Sequence, residues 1–138
     1  MNKVSWKDEY CVGINKIDRQ HQRLFEFVNM IIERPVSDDD SKLVSEILKE
    51  MFNYAREHFS TEETFMLTND YPEYLQHKTQ HEYFVKTATE LVENFMNNKS
   101  VTADEITEFL VIWLQNHILK IDIKFKAFYA AIIKSGIA

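Results

Sequence analysis

Five histidines and two acids in this chain have the types and spacings of metal ligands. The histidines are His21, His58, His77, His81 and His117, and each falls on the inward face of a predicted helix. His58-x-x-x-Glu62 and His77-x-x-x-His81 put both side chains of each pair on one helix face, one turn apart. His117 and Asp122 are five residues apart, about 140° on an ideal helix. Both can face the same way only through a π-type distortion or a carboxylate that reaches sideways. Buried carboxylates need a proton, a partner or a metal. A lone buried histidine is usually a structural one, but all five together with two acids point to one constellation.

Nitrogen and oxygen donors without thiolate suit iron, manganese, copper or zinc. Seven ligands are too many for one ion. Two octahedral ions sharing Glu62, Asp122 and one solvent-derived oxygen would leave a single coordination position open. An open position on a redox-active ion, lined by apolar side chains, suits a small ligand such as O₂. Phe25, Leu114 and Ile118 are the expected lining.

The elements that must position these residues follow from apolar periodicity. The first predicted helix starts near Asp18, read as its N-cap, and ends near Glu33, before Pro35. The second follows Ser37 and Asp40, which have capping-box spacing, and runs to about Leu67. The third has Asp70 as N-cap, Pro72 in its first turn and Glu73 at N3, and ends near Asn97. The fourth opens on the capping box Thr102-x-x-Glu105 and runs into the 130s. The inward seams are Ile17, His21, Leu24, Val28, Ile31; Val44, Leu48, Met51, Ala55, His58, Glu62, Phe65; Tyr74, His77, His81, Phe84, Ala88, Leu91, Phe95; and Ile106, Leu110, Leu114, His117, Ile121. Short connections predict an all-α, up-down-up-down four-helix bundle. In that topology the histidines all lie toward one end. Residues 1–16 are expected as an irregular N-terminal arm and 17–138 as the bundle, together one domain.

Composition agrees. Only two glycines and two prolines in 138 residues argue for long helices over hairpins. The net charge of −6 disfavours nucleic acid and anionic membrane surfaces as partners. No stretch reads as a signal peptide or a membrane span, and the single cysteine, Cys11, excludes an internal disulfide framework. The expected location is the cytoplasm. Glu63, about 100° around the helix from Glu62, is expected to be a solvated surface acid. Trp113, Phe59 and Phe84 are expected as core packing.

Four stretches resemble the hemerythrins, and among them the single-domain bacterial members. They are Val12-Gly13-Ile14 with Ile17-Asp18-x-Gln20-His21-x-x-Leu24; Tyr54-x-x-x-His58-Phe59-x-x-Glu62-Glu63-x-x-Met66; Tyr71-Pro72-x-x-x-x-His77-x-x-x-His81; and Trp113-Leu114-x-x-His117-Ile118-x-x-x-Asp122. The resemblance covers nearly the whole chain, without departure at any ligand position. It implies two non-haem iron ions bridged by an oxo or hydroxo group. His77, His81 and His117 would hold one iron, His21 and His58 the other, with Glu62 and Asp122 between them. It also implies reversible O₂ binding at the two-histidine iron, as an oxygen carrier, store or delivery protein and not an enzyme. Carboxylate-rich di-iron sites favour high-valent iron and O–O cleavage, whereas five neutral imidazoles favour the diferrous state. The rival readings are an O₂ or redox sensor, an iron-handling protein and, less favoured by these ligands, a di-iron oxidase or peroxidase.

Overall fold

The computed structural model describes residues 2–34 and 40–135, and within them the chain forms four helical rods and no strands. Ser37, the first half of the expected second capping box, lies outside the described residues. The first rod is α1 (Asn15–Ile32). The second runs through α2 (Ser41–Tyr54), a π-helical segment (Ala55–Phe59) and α3 (Ser60–Thr68). The third is α4 (Tyr74–Met96). The fourth runs through α5 (Ala103–Trp113), a second π segment (Leu114–Ile121) and α6 (Asp122–Ser135). No helix among the described residues is long and apolar enough to cross a membrane.

Two separate apolar clusters show how the rods alternate. The larger contains Leu24, Val28, Leu48, Phe84, Ala88 and Leu110, and the smaller contains Val12, Ile17, Met66, Tyr71 and Phe125. Along α1 the chain passes from the smaller cluster at Ile17, through buried His21, to the larger cluster. The second rod runs the opposite way, from the larger cluster through His58 and Glu62 to Met66. The third reverses again, and the fourth reverses once more to end at Phe125. Up-down-up-down topology therefore places every histidine in one polar layer, between two apolar ones.

The ends of the rods show where sequence patterns mislead. Asp18 is not an N-cap: α1 begins at Asn15, and Asp18 is buried in its first turn. Its carboxylate accepts the Val12 N–H at 2.7 Å and the Gly13 N–H at 3.2 Å. Gly13 needs its lack of a side chain, since its φ is +96°. Asp18 thus folds the arm onto α1, where an acid also meets the positive end of the helix dipole. Asn29 pins the arm further out, exchanging two 2.7 Å hydrogen bonds with the Val4 backbone. Trp6 and Tyr10 then lie against Phe25, with centroids 5.3 and 6.0 Å away. The arm is not wholly irregular, because Asp8–Tyr10 forms a turn of 3₁₀ helix.

Asp70 is not an N-cap either. It takes φ +54° and closes α3, its N–H bonding Leu67 O while Tyr71 N–H bonds Met66 O. Asn98, at φ +58°, closes α4 by the same pattern. Asp and Asn tolerate this left-handed conformation best among residues with side chains, so these two ends need no glycine. α4 itself starts at Tyr74.

The Thr102–Glu105 capping box forms in both directions, at 3.1 and 3.2 Å. Thr102→Ala is expected to lower unfolding free energy by about 0.5–2 kcal/mol. A urea denaturation midpoint equal to wild type would show that this cap contributes nothing.

Candidate metal centre

Each rod delivers its polar residues by a different local device. α1 needs only regular geometry to point His21 inward, and α4 holds His77 and His81 one turn apart. The second and fourth rods use the two π segments. A π turn carries one extra residue, which advances the inward register by one position. In the fourth rod the regular seam would bury Ile121. Instead Ile121 is half-buried, and Asp122 takes the inward place, fully buried. The five-residue interval is therefore met by a wide turn. In the second rod the segment Ala55–Phe59 buries both His58 and Phe59. Sequence reading did not foresee this segment, because His58 to Glu62 looks like an ordinary helical step.

All seven residues converge. Glu62 Oε2 lies 3.0 Å from His58 Nε2 and 3.6 Å from His21 Nε2, and Asp122 Oδ2 lies 2.9 Å from His21 Nε2. The other carboxylate oxygens face the other three histidines. Glu62 Oε1 touches His77 Nε2 and lies 3.2 Å from His81 Nε2 and 3.7 Å from His117 Nε2. Asp122 Oδ1 is 2.8 Å from His77 Nε2 and 3.3 Å from His117 Nε2. Each carboxylate thus gives one oxygen to each histidine group. Two four-ligand groups result, His21/His58/Glu62/Asp122 and Glu62/His77/His81/His117, with ligand atoms within 4.8 Å of one another in each. Phe25, Leu114 and Ile118 are all buried in the larger apolar cluster, Leu114 and Ile118 in the same wide turn as His117.

These residues fit a cation in chemistry as well as count. His77 Nε2, His117 Nε2, Glu62 Oε2 and both Asp122 oxygens are buried without a hydrogen-bond partner. They are close to one another but not aligned to donate and accept. Groups this buried are normally satisfied, and lone pairs converging on a common point are satisfied by a metal.

A second set of contacts fixes the rings from outside. Phe59 stacks on His81 at 4.0 Å and 5°, and Trp113 stacks on His117 at 4.2 Å and 10°. Tyr54 stacks on His58 at 5.1 Å, and its hydroxyl accepts the Trp113 indole N–H at 3.4 Å. The expected core-packing role of Phe59 and Trp113 is therefore also a ring-holding one. Gln20 Oε1 meets His58 Nδ1, and Glu63 Oε2 meets His81 Nδ1, each at 2.8 Å. Glu63 is thus not a free surface acid: from α3 it reaches across to the neighbouring α4. Gln20 stands in one of the family-like stretches, but nothing in the spacing gives it a partner in the second rod.

Burial alone lowers an imidazole pKa, since it disfavours the charged ring. At His21 the Asp122 and Glu62 carboxylates outweigh burial and raise it to about 9. His77 is raised to about 10 in the same way, and His117 is raised too. Burial and the positive charge at His21 bring His58 down to about 4. Glu62 and Asp122, despite burial, are held well below the usual carboxylate range by the imidazoles, chiefly His58 for Glu62 and His117 for Asp122. In the metal-free protein at neutral pH, protons on His21 and His77 balance the two carboxylates.

A bundle whose four rods each bring histidine to one layer, with two carboxylates interposed, defines a histidine–carboxylate cation-binding protein. The chain belongs to the hemerythrin family: the profile of the hemerythrin HHE cation binding domain matches residues 12–129. A bacteriohemerythrin of Clostridium acetobutylicum is 35% identical over 126 residues, covering 85% of this chain and 94% of the relative. That of Stenotrophomonas maltophilia is 34% identical over 118 residues, 86% of this chain and 76% of the relative. A hemerythrin-like protein of Naegleria gruberi is 31% identical over 122 residues, 88% and 90% of the two chains. A crystal structure of a hemerythrin mutant superposes with a TM-score of 0.78 at 27% identity, covering 88% of this chain and 93% of that one.

The histidine charges set a pH dependence for the metal-free protein. His21 and His77, raised above the ordinary 6.5, add stability below that value and lose it as pH rises through about 9 and 10. His58 is depressed, so the unfolded chain takes up its proton first, and stability falls as pH drops from 6.5 through about 4. The metal-free melting temperature is expected to peak near pH 6.5 and to fall on either side, towards about 4 and towards about 9. A melting temperature that climbs between about pH 7 and 9 would contradict this charge arrangement.

Proposed function

We propose that this protein binds O₂ reversibly at a non-haem di-iron centre, as an oxygen carrier, store or delivery protein. The observation that carries the reading is the division of the two carboxylates, each giving one oxygen to each histidine group. His77, His81 and His117 would hold one ion and His21 and His58 the other, with Glu62 and Asp122 shared between them and an oxo or hydroxo group completing the pair. Iron held by these residues would supply the reversible electron transfer that binding and release of O₂ require.

The chain's own residues favour carriage over turnover. Five neutral imidazoles stabilise the reduced ions better than a carboxylate-rich set. The two-histidine group holds fewer protein ligands, which leaves room for one small molecule and none for a second substrate. Phe25, one turn from His21, together with Leu114 and Ile118 of the same buried apolar cluster, would keep water from the open position. The stacked rings and the outer hydrogen bonds hold each imidazole in place through repeated binding and release.

The test is an anaerobic one. The reduced protein should hold two irons per chain and show a charge-transfer band that appears with O₂ and bleaches on degassing. Irons that oxidise without a reversible band would favour a redox sensor or an enzyme instead, and a chain that takes up no iron would end the di-iron reading. His77→Ala should lose iron, because it strips a ligand from the three-histidine ion; full iron content would undo the ligand assignment. Leu114→Ala should keep iron but speed autoxidation by admitting water, at a stability cost of about 2–5 kcal/mol. An unchanged autoxidation rate would remove Leu114 from the pocket.

A further inference from the structure

Each histidine group contains one imidazole with a partner on its outer nitrogen, and the two partners differ in charge. His58 Nδ1 meets the neutral amide oxygen of Gln20 at 2.8 Å. His81 Nδ1 meets the carboxylate of Glu63, also at 2.8 Å. The outer nitrogens of His21, His77 and His117 have no hydrogen-bond partner. Both partnered rings turn Nε2 to the centre. Their Nδ1 must therefore carry the proton and donate it outward. A carboxylate acceptor draws that proton more strongly than an amide does, which makes the ring a stronger electron donor through Nε2. Glu63 does this from the edge of the bundle, with its side chain 22% exposed.

We propose that Glu63 is a positioning residue that makes the two metal ions electronically unequal, acting through His81. It enriches the donor set of the three-histidine ion, while Gln20 gives the two-histidine ion a neutral counterpart. On one-electron oxidation, the three-histidine ion gives up its electron first. The ion with room for a small ligand is the second to be oxidised, and stays ferrous longer under a mild oxidant. This rests on the reading of the cluster as a di-iron centre.

The experiment is a stepwise oxidative titration of the iron-loaded full chain under argon, with iron counted in every sample. Glu63→Gln keeps an acceptor for His81 but removes the charge. It should raise the potential of the first one-electron step and bring the two steps closer together. Gln20→Glu adds a charge behind His58 and should narrow the gap from the other side, by lowering the second step. Chelator competition with cobalt(II) as the probe should show about 10-fold weaker binding at one of two sites for Glu63→Ala. Glu82→Gln is the control, an exposed acid on the same surface cleft. An unchanged gap in Glu63→Gln with both irons bound overturns the proposal, and so does an equal shift in Glu82→Gln. Should Glu63→Gln fail to load iron, Gln20→Glu decides: no narrowing there also overturns it. A wild-type chain that holds fewer than two irons instead defeats the underlying di-iron reading.

Discussion

Two carboxylates buried side by side in the middle of the bundle are the constraint on which the rest of the structure depends. Glu62 and Asp122 are shielded from water and share their surroundings with no lysine or arginine within ion-pair distance among the described residues. Such charges are tolerated only with counter-charge close by. The chain supplies it through the surrounding imidazoles, as protons on His21 and His77 or as a cation held at the same place. The layer then dictates the architecture: four rods must cross it, and each must give up core positions to polar groups. The two apolar clusters on either side supply the burial that holds the rods in register around it.

That demand also explains the departures from regular helix. A 3.6-residue turn cannot aim His117 and Asp122 at one point, so the fourth rod widens over Leu114–Ile121. Ala55–Phe59 widens so that His58 can face the centre while the next residue, Phe59, lies flat on His81. Wide turns are poor helix and persist where surroundings over-determine them. Here those surroundings are stacked rings on three of the five histidines. Packing and ligand geometry are therefore the same set of contacts, and a change in one is felt in the other.

Much of this was legible in the chain because histidine and glutamate at seam positions are conspicuous. The four rods, the Thr102–Glu105 cap and the alternation that gathers the polar layer at one level could all be read from spacing. Asp18 and Asp70 were misread because an acid before an apolar run looks alike whether it caps a helix, holds a preceding arm or adopts a left-handed end. Only three-dimensional contacts tell these apart. Glu63 and Gln20 stand in the family-like stretches, but their contacts to His81 and His58 were hidden for another reason. A residue 100° from the seam is solvent-facing on an isolated helix, but in a bundle it can still reach the rod alongside. The π segment at Ala55–Phe59 left no trace because its residues also satisfy the ordinary helical pattern.

The smaller apolar cluster has a consequence for the life of the protein. Val12, Ile17, Met66, Tyr71 and Phe125, with Tyr74 of α4 packed against them, gather the arm and all four rods at one end of the molecule, beyond the polar layer. So few side chains bury too little surface to order that end alone, and its cohesion depends on whatever binds the layer together. Binding free energy at the centre is thereby spent as folding free energy at the nearby end. Chains without cargo will open there first, presenting apolar segments to proteases and chaperones, so cellular quality control can sort loaded copies from empty ones without any dedicated recognition signal.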